Sequence, residues 1–377
     1  MKVLFIFGTR PEAIKLCPVV QHLRARPADF DVRICATAQH REMLDQVLQV
    51  FQVKPDYDLD LMLPGQTLFQ STSRILTGLE PVLLAEKPDM VIVQGDTTST
   101  LCGALAAFYQ RIPVGHVEAG LRTGDMRQPF PEEMNRVLTG RLAALHFAST
   151  ERAAANLRRE GVNPASIGVT GNTGIDAVFF VRDGLEQGRL HGREWPELHP
   201  DWRLIVVTAH RRESFGPGFE RICYALSDLA RHGGIQIVYP VHPNPNVQDP
   251  VARILRKEPN IILTEPLSYV AFVDLMRRAD LVITDSGGIQ EEGPSLGKPI
   301  LVLRDKTERP EAVEAGTVKL VGTDRDRIAN EAIRLLENQE MYDAMARVHN
   351  PYGDGRASGR IGRLIHSYFR ENSFQKN

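Results

Sequence analysis

Short, almost wholly apolar runs alternate with helical patterns along nearly the whole chain, and this alternation restricts the fold more than any other feature. A first set comprises VLFIF (3–7), VRICAT (32–37), MVIVQ (90–94), IPVGHVE (112–118), ALHFAS (144–149) and SIGVTG (166–171). A second comprises RLIVVTA (203–209), IQIVYPV (235–241), NIILTE (260–265), LVITD (281–285), PILVL (299–303) and VKLVG (318–322). Strands that are apolar on both sides are covered by helices on both faces, as in parallel sheets. Helical stretches such as EAIKLCPVVQHL and TSTLCGALAAFYQ lie between them. The chain therefore reads as α/β, with two Rossmann-like, doubly wound domains. A length of 377 residues agrees, being long for one core. Between the sets the chain turns polar and proline-bearing (GLEQGRLHGREWPELHPDW), which puts the hinge near Gly171–Asn172. The expected division is 1–171 and 172–357, with a terminal helix at about 358–377 packing back on the first domain.

Net charge is −2, which disfavours nucleic acid as a partner and confines any anion site to a local cluster. Cys17, Cys35, Cys102 and Cys223 sit singly in apolar stretches without CxxC spacing, as reduced core thiols of a cytoplasmic protein would. Met1 leads straight into a strand, leaving no room for a signal peptide, and no apolar run is long enough to span a bilayer. FGTRPEA is not GxGxxG, and nothing matches GxxxxGK[ST], so neither a nicotinamide nor an ATP site is indicated. HxH and HExxH spacings are also missing, and neither a metal nor another cofactor is expected.

Three apolar segments close together end in carboxylates: Asp96 in MVIVQGDTTST, Glu118 in IPVGHVEAG and Glu132 in RQPFPEEMNR. LIVVTAHRRE ends likewise on His210. Strand ends of a parallel sheet open into the crevice where ligands bind. Proton-transfer groups gathered there suggest acid/base catalysis. The plainer reading has Asp96 capping the next helix, Glu132 as a first-turn carboxylate and His210 as an ordinary turn histidine. Taken singly, Asp96 reads better as a cap.

TDSGGIQEEGPSLGKP starts where LVITD ends and a helix begins. Ser286, Gly287 and Gly288 would bare backbone N–H groups at the positive end of that helix, a ready phosphate site. A plain cap by Asp285 or Ser286 fits that segment alone about equally well. Glu292, one turn deeper, is placed to accept from both hydroxyls of a ribose. Arg309 in DKTERPEA, with Arg10 and Lys15 in FGTRPEAIK, adds cations from both halves, although such side chains are usually solvated surface charges. As a set they suit a diphosphate.

GTRPEAIKL, TAQHREMLDQVL, GDTTSTL, GHVEAGLRTGD, PEEMNR, TAHRRES, YPVHPNP, TDSGGIQEE, TERPEA and NPYGDG together closely resemble the non-hydrolysing UDP-N-acetylglucosamine 2-epimerases over nearly the full chain. The resemblance implies a B-type glycosyltransferase-like architecture, with two domains facing a cleft. It implies Asp96, Glu118, Glu132 and His210 as the catalytic group. Arg10, Lys15, Ser286, Gly287, Gly288, Glu292 and Arg309 would hold UDP, and Phe272 would line the uracil pocket. The implied partners are UDP-GlcNAc and UDP-ManNAc, interconverted through expulsion of UDP, a 2-acetamidoglucal and re-addition. A second UDP-GlcNAc acting as an allosteric activator would meet Gln39, His40, Arg211 and His242. A homodimer whose product feeds surface polysaccharide synthesis completes the expectation. The competing readings are a hydrolysing epimerase releasing free N-acetylmannosamine, a B-type glycosyltransferase, and a metal-dependent hydrolase using Asp96, Glu118, His116 and His210.

Overall fold

The computed structural model describes residues 1–37, 41–63 and 65–374. The chain divides into two compact units, 1–177 with 353–377, and 178–352.

The first unit holds a parallel sheet built from β1 (Lys2–Phe7), β2 (Asp31–Ala36), β3 (Tyr57–Asp58), β4 (Met90–Gln94), β5 (Val114–Ala119), β6 (Leu145–Ala148) and β7 (Ile167–Val169). Its spatial order is β3-β2-β1-β4-β5-β6-β7. The chain winds outward one way from β1 through β2 and the other way from β4, the doubly wound pattern. β1 and β4 are almost entirely buried. On one face Leu4, Ile6, Val91 and Val93 pack with Leu79, Leu83 and Ala104 of the covering helices. Gly115 of β5 is required by packing, because a Cβ there would lie 2.6 Å from Ile92 and 2.9 Å from Phe147. The helix Ala357–Phe374 belongs to this unit, and its Gly362 sits 3.1 Å (built Cβ) from Leu23 of the helix Arg10–Arg24.

The second unit repeats the plan with β8 (Arg203–Thr208), β9 (Ile235–Pro240), β10 (Ile261–Thr264), β11 (Leu281–Thr284), β12 (Ile300–Val302) and β13 (Val318–Leu320), in the order β10-β9-β8-β11-β12-β13. Ile205, Val207, Ile237, Ile283 and Leu301 form its core with Phe219, Leu226 and Ile328. Each run of the two sets contains a strand, whereas the segment ending on Glu132 forms none, Glu132 opening a helix instead. Only β3 carried no such signal, being two residues long and outside any apolar run.

Ligands of open parallel sheets bind beyond the carboxyl ends of the strands where the winding reverses. These points lie between β1 and β4, and between β8 and β11. The four cysteines are buried and free, as expected. No described helix is long and apolar enough to cross a membrane.

Candidate active site

At the β1/β4 reversal, local sequence sets the backbone first. Thr9 caps the helix Arg10–Arg24 with a reciprocal Glu12 capping box, a device worth about 1 kcal/mol. Glu12 does more than cap. It also accepts from the Gly8 N–H at 3.1 Å and from the Thr97 and Thr100 hydroxyls at 2.8 and 3.1 Å, tying the end of β1 to the end of β4. Burial holds its carboxyl above the ordinary value against these bonds. Thr97, not Asp96, caps the helix Thr98–Tyr109. The capping role that Asp96 could have filled is therefore already occupied.

Asp96 lies half-buried beside Arg136, whose Nη2 is 3.4 Å from its Oδ2. Its carboxyl is pushed up to about 6, chiefly by burial, with Glu118 and Glu132 adding negative charge while Arg136 and Lys15 oppose. Glu132 opens the helix Glu132–Leu142, close enough to weigh on Asp96. Glu118 is gripped at both oxygens: Lys15 Nζ reaches Oε1 at 2.5 Å, and the Gln94 amide donates to Oε2. Its backbone is left-handed (φ +62°), at an irregularity where the β5–β6 register slips between Val117 and Ala119. A non-glycine residue held so costs on the order of 1 kcal/mol or more, and such strain concentrates where a side chain must be aimed. Asp96, Glu118, Glu132 and Lys15 thus form one cluster. Arg10 starts the helix that carries Lys15.

Arg136 was not singled out from the sequence. It is 3% exposed, bridges Asp96 and Glu133 (3.2 Å to Glu133 Oε2), and among the described residues its Nη1 has no hydrogen-bond partner. Glu133 in turn accepts from the Thr123 and Gly124 N–H groups. The available signal was helical spacing, since Arg136 lies one turn after Glu132 in PEEMNR. Gln94 was likewise missed; as the last residue of β4 it read simply as strand.

At the β8/β11 reversal, Asp285 is fully buried and its Oδ2 accepts from the His210 and Arg211 N–H groups at 2.6 and 2.7 Å. The Thr208 and Thr284 hydroxyls bond each other at 2.7 Å just below. His210 Nδ1 lies 3.4 Å from Asp285 Oδ1, and its ring stacks on that of His242, with centroids 5.2 Å apart and planes 11° apart. Burial holds the His210 imidazole below its ordinary pKa; Asp285 opposes, while His242 and Arg211 reinforce. Arg211 and His242 therefore sit with His210.

Ser286 precedes the helix Gly287–Glu292 but makes no side-chain cap bond, so the plain-cap reading fails for it. The Arg309 guanidinium lies over Gly287, 3.6 Å from where a Cβ would be, and Glu292 Oε1 comes to 3.8 Å from the corresponding point at Gly288. Arg309 Nε is anchored by Glu291, a partner the sequence reading did not identify. Asn350 donates to the Glu291 carbonyl at 2.7 Å. Ser286, Gly287, Gly288, Glu292 and Arg309 are thus brought together. Phe272 lies in the first turn of the helix Tyr269–Arg278. Gln39 and His40 fall outside the described residues. No group of His, Cys, Asp and Glu suited to a metal occurs among the described residues.

A family model described as UDP-N-acetylglucosamine 2-epimerase matches residues 21–366. The chain belongs to the UDP-N-acetylglucosamine 2-epimerase family. It is 60% identical over 366 residues to the UDP-N-acetylglucosamine 2-epimerase of Escherichia coli K12, covering 96% of this chain and 97% of that one. The crystal structure of a family member from Listeria monocytogenes superposes with a TM-score of 0.90 at 47% identity, covering 98% and 97% of the two chains. The Neisseria meningitidis UDP-GlcNAc 2-epimerase bound to UDP-GlcNAc gives a TM-score of 0.89 at 48% identity, over 97% and 99%.

Proposed function

We propose that this protein interconverts UDP-N-acetylglucosamine and UDP-N-acetylmannosamine without net hydrolysis, by eliminating UDP and adding it back. The single observation that carries the reading is the carboxylate cluster of the first unit. Burial pushes the Asp96 carboxyl up to about 6 beside Arg136, while Glu118 is immobilised by Lys15 and Gln94. The 60% identity to a named 2-epimerase supports the substrate.

The C2 hydrogen is not next to a carbonyl, so its removal alone would leave an unstabilised carbanion. Removing it while the C1–O bond breaks solves this. The C2–H electron pair becomes the C1=C2 bond of a 2-acetamidoglucal, and the C1–O pair departs with UDP. Return of a proton to the opposite face of C2, with attack of a UDP oxygen on C1, completes the inversion. Two faces need two proton-transfer positions, supplied by the group Asp96, Glu118 and Glu132. A pKa near the working pH suits Asp96 to taking up and giving back a proton. Positioned acid/base groups supply about 10²–10⁴-fold.

The departing diphosphate needs preorganised positive charge, typically the larger contribution. Ser286, Gly287, Gly288 and Arg309 provide it, with Arg10 and Lys15, and His210 completes a proton relay. Glu292 takes the ribose hydroxyls and Phe272 the uracil. Arg211 and His242, beside His210, serve an activating second UDP-GlcNAc together with Gln39 and His40. The enzyme acts as a homodimer in the cytoplasm, and its product supplies surface polysaccharide.

Incubation with UDP-GlcNAc in heavy water tests the proposal. Solvent deuterium should enter C2, and an ¹⁸O label in the C1–O–P bridge should scramble. Turnover with an intact C1–O bond overturns it, and accumulation of free N-acetylmannosamine replaces it with the hydrolysing reaction.

A further inference from the structure

We infer that Asp285 is a positioning residue that holds His210 in the Nδ1–H tautomer, leaving Nε2 with its lone pair. The inference starts from an imbalance at a buried carboxylate. Asp285 is fully buried, and Oδ2 is satisfied by the two backbone N–H groups of His210 and Arg211. Among the described residues Oδ1 has no hydrogen-bond partner, and His210 Nδ1 faces it at 3.4 Å. A buried carboxylate oxygen left bare costs about 1–3 kcal/mol or more, so an N–H turned toward it is strongly favoured. A carboxylate can only accept, which assigns the proton to Nδ1.

The backbone grip makes this pairing rigid. Asp285 follows directly after β11 and its own N–H donates to the Thr208 carbonyl at 3.1 Å, while His210 follows β8. The Thr208–Thr284 hydroxyl bond fastens the same two strand ends. Carboxylate and imidazole are therefore fixed by the sheet and not by flexible loops. Burial disfavours a charged ring, and the stacked His242 and neighbouring Arg211 add to this, so the neutral imidazole is the resting form. A neutral ring whose Nδ1–H is committed has one free site, Nε2, able to gain a proton during turnover and lose it again.

Asp285→Asn separates this from a structural role. The two backbone donors require an oxygen, so the amide oxygen must face them. That turns the NH₂ toward Nδ1, and an NH₂ can only donate, which drives His210 to the Nε2–H tautomer. Long-range ¹H–¹⁵N spectra of full-length protein carrying ¹⁵N-histidine, with the His210 signals assigned from a His210→Asn sample, read the tautomer directly. Wild type should show Nδ1–H and D285N should show Nε2–H. If Asp285→Asn does not fold, the wild-type spectrum alone decides. A wild-type Nε2–H tautomer, or one unchanged in D285N, overturns the inference.

The expected kinetic consequence rests on the proposed epimerisation. D285N should lose on the order of 10²-fold or more in kcat, with a smaller change in KM. Failure of the epimerase reading would appear as a wild type that does not convert UDP-GlcNAc, and the tautomer result would stand apart from it.

Discussion

Lys15 and Glu118 meet at 2.5 Å across 103 residues of sequence, each side chain no more than 15% exposed. The pair joins a helix that starts after β1 to a residue strained into the left-handed region in β5. Both side chains are largely shielded from solvent, so each charge leans on the other.

Removing one partner should therefore harm the fold as well as the reaction. Lys15→Met should cost about 3 kcal/mol of stability in denaturant unfolding, because it removes the opposite charge from a largely buried carboxylate. The double variant Lys15→Met/Glu118→Gln should recover most of that loss while remaining inactive. Equal destabilisation of single and double variants would show that the two charges are not coupled.

Asp96 carries a charge at a cost to the fold. Its carboxyl lies at about 6 in the folded protein against 3.8 for a free side chain. A raised folded value means that stability is fully present below pH 3.8 and is lost as pH rises through about 6. Asp96→Asn should thus be more stable than wild type at pH 8, by about 1–2 kcal/mol after allowance for partial exposure, and abolish turnover. The stability difference should vanish by pH 4. Unfolding curves at both pH values measure it.

His116 and His146 act in the opposite direction. Both are buried on neighbouring strands, with burial lowering them from 6.5 to about 3 and about 4. Their unfolded forms bind protons first, so stability is complete above pH 6.5 and falls as pH drops toward 4. The melting temperature should decline across that window, more steeply in Asp96→Asn, which lacks the compensating carboxyl uptake. His146→Gln should flatten the decline.

Gly287 distinguishes a binding glycine from a packing one. A Cβ there would meet the Arg309 guanidinium at 3.6 Å, an ordinary contact, and its φ lies outside the left-handed region. Gly287→Ala should leave the melting temperature within a degree or two, while weakening UDP binding by about tenfold or more (~1.4 kcal/mol), since phosphate must approach the backbone closely. Calorimetric titration with UDP checks it. Unchanged affinity would remove the helix start from the diphosphate site.

The strands were legible because a parallel strand buried on both faces must be apolar throughout, a local property of a few consecutive residues. β3 was not, because two residues ending in Asp58 carry no such run. The positions of Asp96, Glu118 and His210 at strand ends followed from the same pattern, as did the loop of Ser286, Gly287 and Gly288.

Sequence alone, then, determined the class of fold, the strand ends and the kinds of group they bear. Tertiary structure decided the partners: Gln94 and Lys15 on Glu118, Arg136 between Asp96 and Glu133, Glu291 on Arg309, Asp285 behind His210. The physical reason is range. Hydrophobic periodicity is written into neighbouring residues, whereas charge pairing, burial and proton affinity depend on side chains that only folding brings within a few ångströms, 75 residues apart for His210 and Asp285.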